Sequence, residues 1–414
     1  MKSSIILHFL IGVCIFPLMV NAQNQAFFKA SDIQNHINYL ASDQLEGRGT
    51  GTKGEKKAAE YIIKEFKKLK LEPRGNKKSF LQEFAFSAGG FHGNVTRTGK
   101  ANNVVPYLSN QAKFTIVIGA HYDHLGLNED GHSLDGEGKG KIHNGADDNA
   151  SGVAGVIELA KYFALNNEKE PFNFLFICFS GEELGLLGSK YFTDNPTFPL
   201  DSVTAMFNMD MVGRLKKVNP TLTVSGTGTA PNWESIIQSF QSGAMNIRLD
   251  SSGIGPSDHT SFYKKEIPSL HFFSGTHADY HKPSDDAQLI NAQGEEVILM
   301  IIASIIEQLP SNKKLTFLPT RSSATTSVSK FKVTLGIMPS YAETTNGLEV
   351  EAVIEGKPAQ KAGLKSGDII TLMGEMKVTG IQDYMEALSK FEKGNTVIVR
   401  VKRGNEELNM KVQF

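Results

Sequence analysis

Cysteine is nearly absent from this chain: of 414 residues, only Cys14 and Cys178 carry a thiol. Cys14 lies in an apolar N-terminal run, so its removal leaves one cysteine, which cannot close an internal disulfide. Stability must then come from a packed core or from bound metal. An excess of one charge is lacking too. The 43 basic and 44 acidic side chains leave a formal net charge of -1, which gives no electrostatic footprint for nucleic acid. There is no internal repeat and no long low-complexity tract, which excludes a repeat array. What is present is ordinary globular material, 40% apolar and 21% charged, long enough for two or three domains.

The N-terminus has its own pattern. Lys2 precedes an apolar run from Ile5 to Val20, followed by the small-residue pattern Val20-Asn21-Ala22. This predicts a signal peptide over 1–22, a mature start near Gln23, and export to the periplasm or the medium. The run is short for a spanning helix, contains Pro17 and lacks a basic stop-transfer flank, so no stable membrane span is expected after processing. Bulky Val13 before Cys14 argues against a lipid anchor.

Four apolar runs bounded by turn residues predict buried parallel strands: FTIVIGA from Phe114, FNFLFICF from Phe172, VTAMFNM from Val203 and IPSLHFF from Ile267. Helical periods separate some of them. Ala58, Ile62, Phe66 and Leu69 share one face of a segment that stops before Pro73, and SGVAGVIELAKYFAL from Ser151 repeats the period. The expected fold is α/β, a mixed, mostly parallel sheet with helices on both faces. After VILMIIASIIEQLP the composition turns to Ser, Thr and Lys, as in a linker, giving a first domain over 23–310 and a linker over 311–330. Residues 331–414 read as short strands and turns, with Leu408, Met410, Val412 and Phe414 alternating with polar residues.

The chemistry gathers at strand ends. His121 ends the first run, Glu182 and Glu183 follow the second, Asp210 ends the third, and Asp147 and Asp148 precede a helix. Ligands of open α/β sheets bind at the carboxyl ends of the strands, so these groups should converge. Imidazole with several carboxylates and no usable thiolate suits zinc better than magnesium or calcium. Two histidines with this many acids exceed the needs of one catalytic zinc, which makes a bridged pair of metals the economical arrangement.

Five segments, GAHYDHLG (119–126), NGADDNASG (144–152), SGEELGLLGS (180–189), FNMDMVGR (207–214) and DYHKPSDD (279–286), resemble the co-catalytic di-zinc exopeptidases. That family includes secreted bacterial leucyl aminopeptidases and glutamate carboxypeptidases, and the resemblance spans most of residues 25 to 310. It implies a phosphorylase/hydrolase-like fold and two zinc ions per chain. His121 and Asp210 would hold one ion, Glu183 and His281 the other, with Asp148 bridging and Asp147 as the fallback. Glu182 would be the general base that deprotonates a water lying between the metals. Asp123 would fix the tautomer of His121 through a hydrogen bond, Asp285 would play a similar part near His281, and Tyr280 would donate to the developing oxyanion. His259, in SDHTSF, is a cleft candidate by the same resemblance.

Other residues have blander expectations. His124, His132, His143 and His277 should line loops, His271 should be a core histidine, and Cys178 an inert core thiol. GTGTKG at 49–54 formally matches a dinucleotide fingerprint, but no strand precedes it, so its glycines should only shape a turn. GRGTGTKGEKKAAEYI also resembles the N-terminal region of the same peptidase family.

VTLGIM (333–338) and KPAQKAGLKSGDIITLMG (357–374) resemble a PDZ domain spanning 331–414. Such a domain binds a peptide C-terminus on a sheet edge, here through the backbone N–H groups of Leu335, Gly336 and Ile337. The whole chain is thus expected to be an exported zinc aminopeptidase acting on peptides. A carboxypeptidase or dipeptidase of the same family is the alternative, with Arg214 as a carboxylate-binding candidate. A PDZ-centred scaffold with a structural metal site is a further alternative, opposed by the spare acid Glu182. A single-zinc glutaminyl cyclase is disfavoured by the presence of both His121 and Asp210.

Overall fold

A computed structural model describes residues 27–89, 95–241, 245–320, 333–339, 347–353, 356–404 and 406–414. The expected signal peptide, Cys14 and the second half of the expected linker lie outside the described residues. No helix among the described residues is long and apolar enough to cross a membrane.

The first sheet contains β1 (Glu72–Pro73), β2 (Leu81–Gly89), β3 (Val95–Val104), β4 (Pro106–Leu108), β5 (Phe114–His121), β6 (Phe172–Phe179), β7 (Val203–Met209), β8 (Thr221–Ser225), β9 (Asn246–Asp250) and β10 (Ser269–Phe273). Its order is β1-β4-β6-β5-β7-β10-β8-β9, with the β2–β3 hairpin joined through β3 to β6. The four runs expected as buried strands are β6, β5, β7 and β10, and each pairs in parallel with its neighbour. The flanking strands pair antiparallel, apart from β8 with β9. The fold is therefore the mixed, mostly parallel sheet that the sequence predicts.

Alternation along the central strands divides the core between two faces. Ile116 and Ile118 of β5, Phe174 and Phe176 of β6, and Ala205 and Phe207 of β7 point into one cluster. Val117, Leu175, Ile177 and Met206 point into the other, against Phe192 and Phe262. Helices α1 (Ala30–Leu40), α2 (Lys53–Lys68) and α3 (Gly152–Leu165) cover the first face; α4 (Leu187–Asp194) and the short helix α5 (His259–Tyr263) cover the second. Burying each of these phenylalanines contributes about 1.5–3 kcal/mol.

In α2, Thr52 caps the first turn by accepting from the Glu55 N–H at 3.3 Å, while Glu55 accepts from the Gly51 N–H at 2.6 Å. The two contacts together form a reciprocal cap at the helix start.

The segment expected as a linker is docked over its first half. Leu315 N–H donates to Thr204 Oγ1 at 2.9 Å, Leu318 N–H to the Thr229 carbonyl at 2.8 Å, and Thr320 N–H to Tyr263 Oη at 3.0 Å. Polar composition suggested a solvated tether, but here the backbone polar groups of the segment find partners on the first domain.

Residues 333–414 have a separate core that includes Leu335, Val350, Ile370, Met373, Val399 and Val412. Their sheet is antiparallel, in the order β11 (Ile337–Pro339), β12 (Leu348–Val353), β13 (Ile369–Met373), β15 (Thr396–Arg403) and β16 (Glu406–Gln413), with β14 (Met376–Lys377) beside β13. IQDYMEALS forms a helix over Ile381–Ser389.

Candidate metal centre

The strand ends converge. His121 is the last residue of β5, Glu182 and Glu183 follow β6, Asp210 follows β7, and His281 lies in the loop beyond β10. Asp148 comes from an irregular turn over 146–151 that leads into α3. That turn needs Gly145, whose φ is 55° and where a Cβ would meet the Asp148 carbonyl at 2.2 Å. Asn149 ties the turn to the end of β7, donating to the Met209 carbonyl at 3.0 Å and accepting from the Met211 N–H at 3.2 Å.

Asp148 stands between two imidazoles. Its Oδ1 is 3.3 Å from His121 Nε2 and its Oδ2 is 3.1 Å from His281 Nε2. Asp210 Oδ1 lies 3.4 Å from His121 Nε2, and Glu183 Oε2 lies 3.1 Å from His281 Nε2. Two atoms bound to one tetrahedral zinc at about 2.0–2.1 Å lie ~3.3 Å apart, so the donor set fits a pair of such ions sharing Asp148. Glu182 Oε2 stands further off, 3.9 Å from His121 Nε2.

The electrostatics follow from burial. Burial pushes Glu182 up, and the neighbouring charges of Glu183, Asp210 and Asp258 push it further, well above the usual carboxylate range. Burial would also raise Glu183, but the charge of His281 and hydrogen bonds from His124 and His281 bring it down to about 2. For His121, burial works against the charged form; Glu182 and Asp210 outweigh it and raise the imidazole well above its ordinary value.

The residues behind this centre differ in part from expectation. His121 Nδ1 lies 3.2 Å from the backbone carbonyl of Asp123 and 3.8 Å from its carboxylate. The carboxylate is engaged elsewhere, accepting from Thr50 Oγ1 at 2.8 Å and from the Glu182 N–H at 3.1 Å. Asp123 therefore orients His121 through its main chain and the Glu182 loop through its side chain. Asp285 does not pair with His281; its Oδ2 accepts from the N–H groups of Asp147 and Asp148 at 2.9 and 3.1 Å, fixing the turn that presents Asp148. Asp147 points away, accepting from the Gly213 N–H at 2.7 Å, with His277 Nε2 at 3.2 Å.

His259, the cleft candidate, is fully buried, with its ring stacked on that of His271 at 4.6 Å. His271, expected in the core, is there, with Nδ1 3.2 Å from Asn208 Nδ2. Tyr280 stacks on His281 at 3.9 Å between ring centroids. Burial and the surrounding carboxylates raise its hydroxyl well above the ordinary phenol value. Arg214 is occupied, 3.0 Å from Asp279 Oδ2. In the C-terminal domain Leu335 and Ile337 are buried, and the Gly336 N–H donates to Thr334 Oγ1 at 3.1 Å, which engages one of the three expected carboxylate donors.

Two residues of the centre escaped the sequence reading. His124, expected in a loop, is buried with Nδ1 2.7 Å from Glu183 Oε1. Arg48, in the GRGTG segment read only as a turn, is 1% exposed. Its guanidinium donates to the carbonyls of Tyr122 (2.9 Å), Leu40 (2.5 Å), Asn144 (2.6 Å) and Gly145 (2.9 Å). It thus ties the His121 loop to the Asp148 turn. Burial lowers it to about 10, with Asp148, Asp123, Asp285 and Glu183 acting in the opposite sense. The signal available was a lone arginine among glycines, one of which, Gly47, has φ 67° and would place a Cβ 2.4 Å from the His143 carbonyl.

Residues 103–306 match the model of Peptidase family M28, and residues 333–414 match a PDZ domain. The chain is 30% identical over 182 residues to Aminopeptidase YwaD of Bacillus subtilis, covering 41% of this chain and 39% of that protein. A probable leucine aminopeptidase of Trichophyton verrucosum is 28% identical over 221 residues, covering 51% and 52%. The chain thus spans between about two fifths and a half of the length of these curated relatives. Among solved structures, the glutaminyl cyclase of Bacteroides thetaiotaomicron superposes with a TM-score of 0.55 at 17% identity, covering 68% of this chain and 99% of that one. That likeness speaks for the fold and leaves the reaction to be argued from side chains. This chain carries a Peptidase family M28 domain followed by a PDZ domain.

Proposed function

We propose that the chain is an exported zinc aminopeptidase that removes N-terminal residues from peptides, with Glu182 as general base. The observation that carries this reading is the pairing around Asp148, whose two oxygens each face one imidazole while Glu182 remains outside both pairs. His121, Asp148 and Asp210 would hold one zinc; Asp148, Glu183 and His281 would hold the other. When bound, such a pair supplies Lewis-acid polarisation of a peptide carbonyl and acidifies water.

The chain's own residues do the rest. The Glu182 carboxylate takes a proton from the attacking water and returns it to the leaving amine nitrogen, ending the cycle as it began. Asp123 holds the Glu182 backbone N–H and so fixes the base over the centre. Tyr280 keeps its proton and can donate it to a developing oxyanion. Arg214, the cation that a carboxypeptidase would need, is already paired with Asp279, which favours the aminopeptidase over the carboxypeptidase or dipeptidase reading. A spare acid beside the centre disfavours a purely structural metal site. Export is part of the proposal and rests on the Ile5–Val20 run and the small residues up to Ala22. The PDZ domain would take a peptide C-terminus, with Leu335 and Ile337 as the carboxylate donors.

The test compares free and N-acetylated peptides with the wild type and Glu182→Gln. The wild type should cleave only free N-termini, and the variant should lose at least ~100-fold in kcat while keeping two zinc ions. Turnover of blocked peptides would favour the carboxypeptidase reading, and unchanged turnover by Glu182→Gln would remove the base assignment.

A further inference from the structure

Spacing separates ligands from their supports in this centre. The four pairs around Asp148, His121 and His281 lie 3.1–3.4 Å apart, as expected for atoms that share a cation. His124 departs from that spacing. Its Nδ1 is 2.7 Å from Glu183 Oε1 and 3.8 Å from Asp148 Oδ2. The first distance is that of a charge-assisted N–H···O hydrogen bond and is shorter than the ~3.3 Å between two donors on one tetrahedral zinc. His124 is 2% exposed, and its Nε2 is buried without a hydrogen-bond partner. A carboxylate that binds a cation is ionised and can only accept, so Nδ1 of His124 must be the donor.

Resting on the reading that Glu183 and His281 hold one zinc, we propose that His124 is a positioning residue that donates from Nδ1 to Glu183 Oε1 and leaves Oε2 alone to bind. Glu183 Oε2 is the oxygen that faces His281. With Oε1 held back, Glu183 cannot chelate through both oxygens, and a coordination position stays open for substrate. His124 is 59 residues from Glu183 in sequence, so only the fold brings the donor to its acceptor.

The test is stepwise chelator competition for zinc on the full chain. Wild type should hold two ions and Glu183→Ala one; two tightly held ions in Glu183→Ala would overturn the ligand reading and this proposal with it. His124→Leu should weaken one of the two sites by about 10–100-fold and leave the other unchanged. His124→Asn, whose amide N–H can reach the same oxygen, should recover most of that loss. Unchanged affinity in His124→Leu would overturn the proposal. So would an Asn variant as weak as Leu, because the imidazole would then be a ligand itself. Nitrogen-15 spectra of the zinc-loaded wild type give a check that does not depend on a variant folding: a proton on Nδ1 of His124 is expected, and a bare Nδ1 would overturn the assignment.

Discussion

The two domains keep their charge in opposite places. In residues 27–320, His121, Asp123, His124, Asp147, Asp148, Asp258, Asp285, Glu55 and Arg48 are all buried, most of them around one mouth of the sheet. In residues 333–414, Asp368 is the one buried charged side chain among the described residues, and it forms a two-pronged pair with Arg403 at 2.7 and 2.8 Å. Burying charge is costly unless it is paired or binds metal, so the first domain bears a cost that a cation would offset. Among its described residues the second domain shows no comparable cluster. Its expected ligand contacts are backbone N–H groups, which any sequence supplies.

This contrast can be broken most strongly at Arg48. Arg48→Met removes the guanidinium donor from the Tyr122, Leu40 and Asn144 carbonyls, each loss costing about 1–3 kcal/mol, while the Gly145 carbonyl keeps the Ala150 N–H at 3.2 Å. The first domain should lose about 3 kcal/mol or more while the PDZ domain unfolds as before. Chemical denaturation followed by the single tryptophan, Trp233 in the first domain, and by C-terminal amides in NMR would separate the two. Equal destabilisation of both domains, or none, would mean that Arg48 is not the tie between the ligand loops.

Legibility follows the same division. The continuous apolar runs of β5, β6, β7 and β10 identified buried parallel strands because burial on both faces removes alternation, and the convergence of His121, Glu182, Glu183 and Asp210 could be placed from strand position, whereas the ligand roles came only from the family resemblance. Arg48 and His124 could not be placed so. Their partners lie up to 97 and 59 residues away, and a buried arginine that binds only carbonyls pairs with a group every residue carries, so no side chain in the sequence points to it. The Asp123 contact was misjudged in kind, since a carboxylate and a carbonyl of the same residue are indistinguishable before their other partners are known. Residues 311–330 read as a tether because Ser, Thr and Lys dominate the stretch as a whole, yet the backbone groups of Leu315, Leu318 and Thr320 pair with Thr204, Thr229 and Tyr263.

A smaller effect sharpens the comparison from the PDZ side. Burial would raise Asp368, but the Arg403 fork and the Lys365 N–H hold it below its ordinary value near 3.8. A depressed carboxylate contributes stability that is present above that value and is lost as the pH falls through the folded one. Arg403→Met should therefore destabilise the PDZ domain by about 1–2 kcal/mol at neutral pH, with the difference from wild type shrinking below about pH 4. Thermal unfolding across pH 3 to 7 would check this, and a difference that stayed constant over that range would contradict it.

The most direct measurement of the central claim is anomalous scattering at the zinc edge from crystals grown with zinc. Two peaks are expected on either side of Asp148, one beside His121 and Asp210 and the other beside Glu183 and His281. A single peak, or a pair bridged by Asp147 instead, would contradict the account.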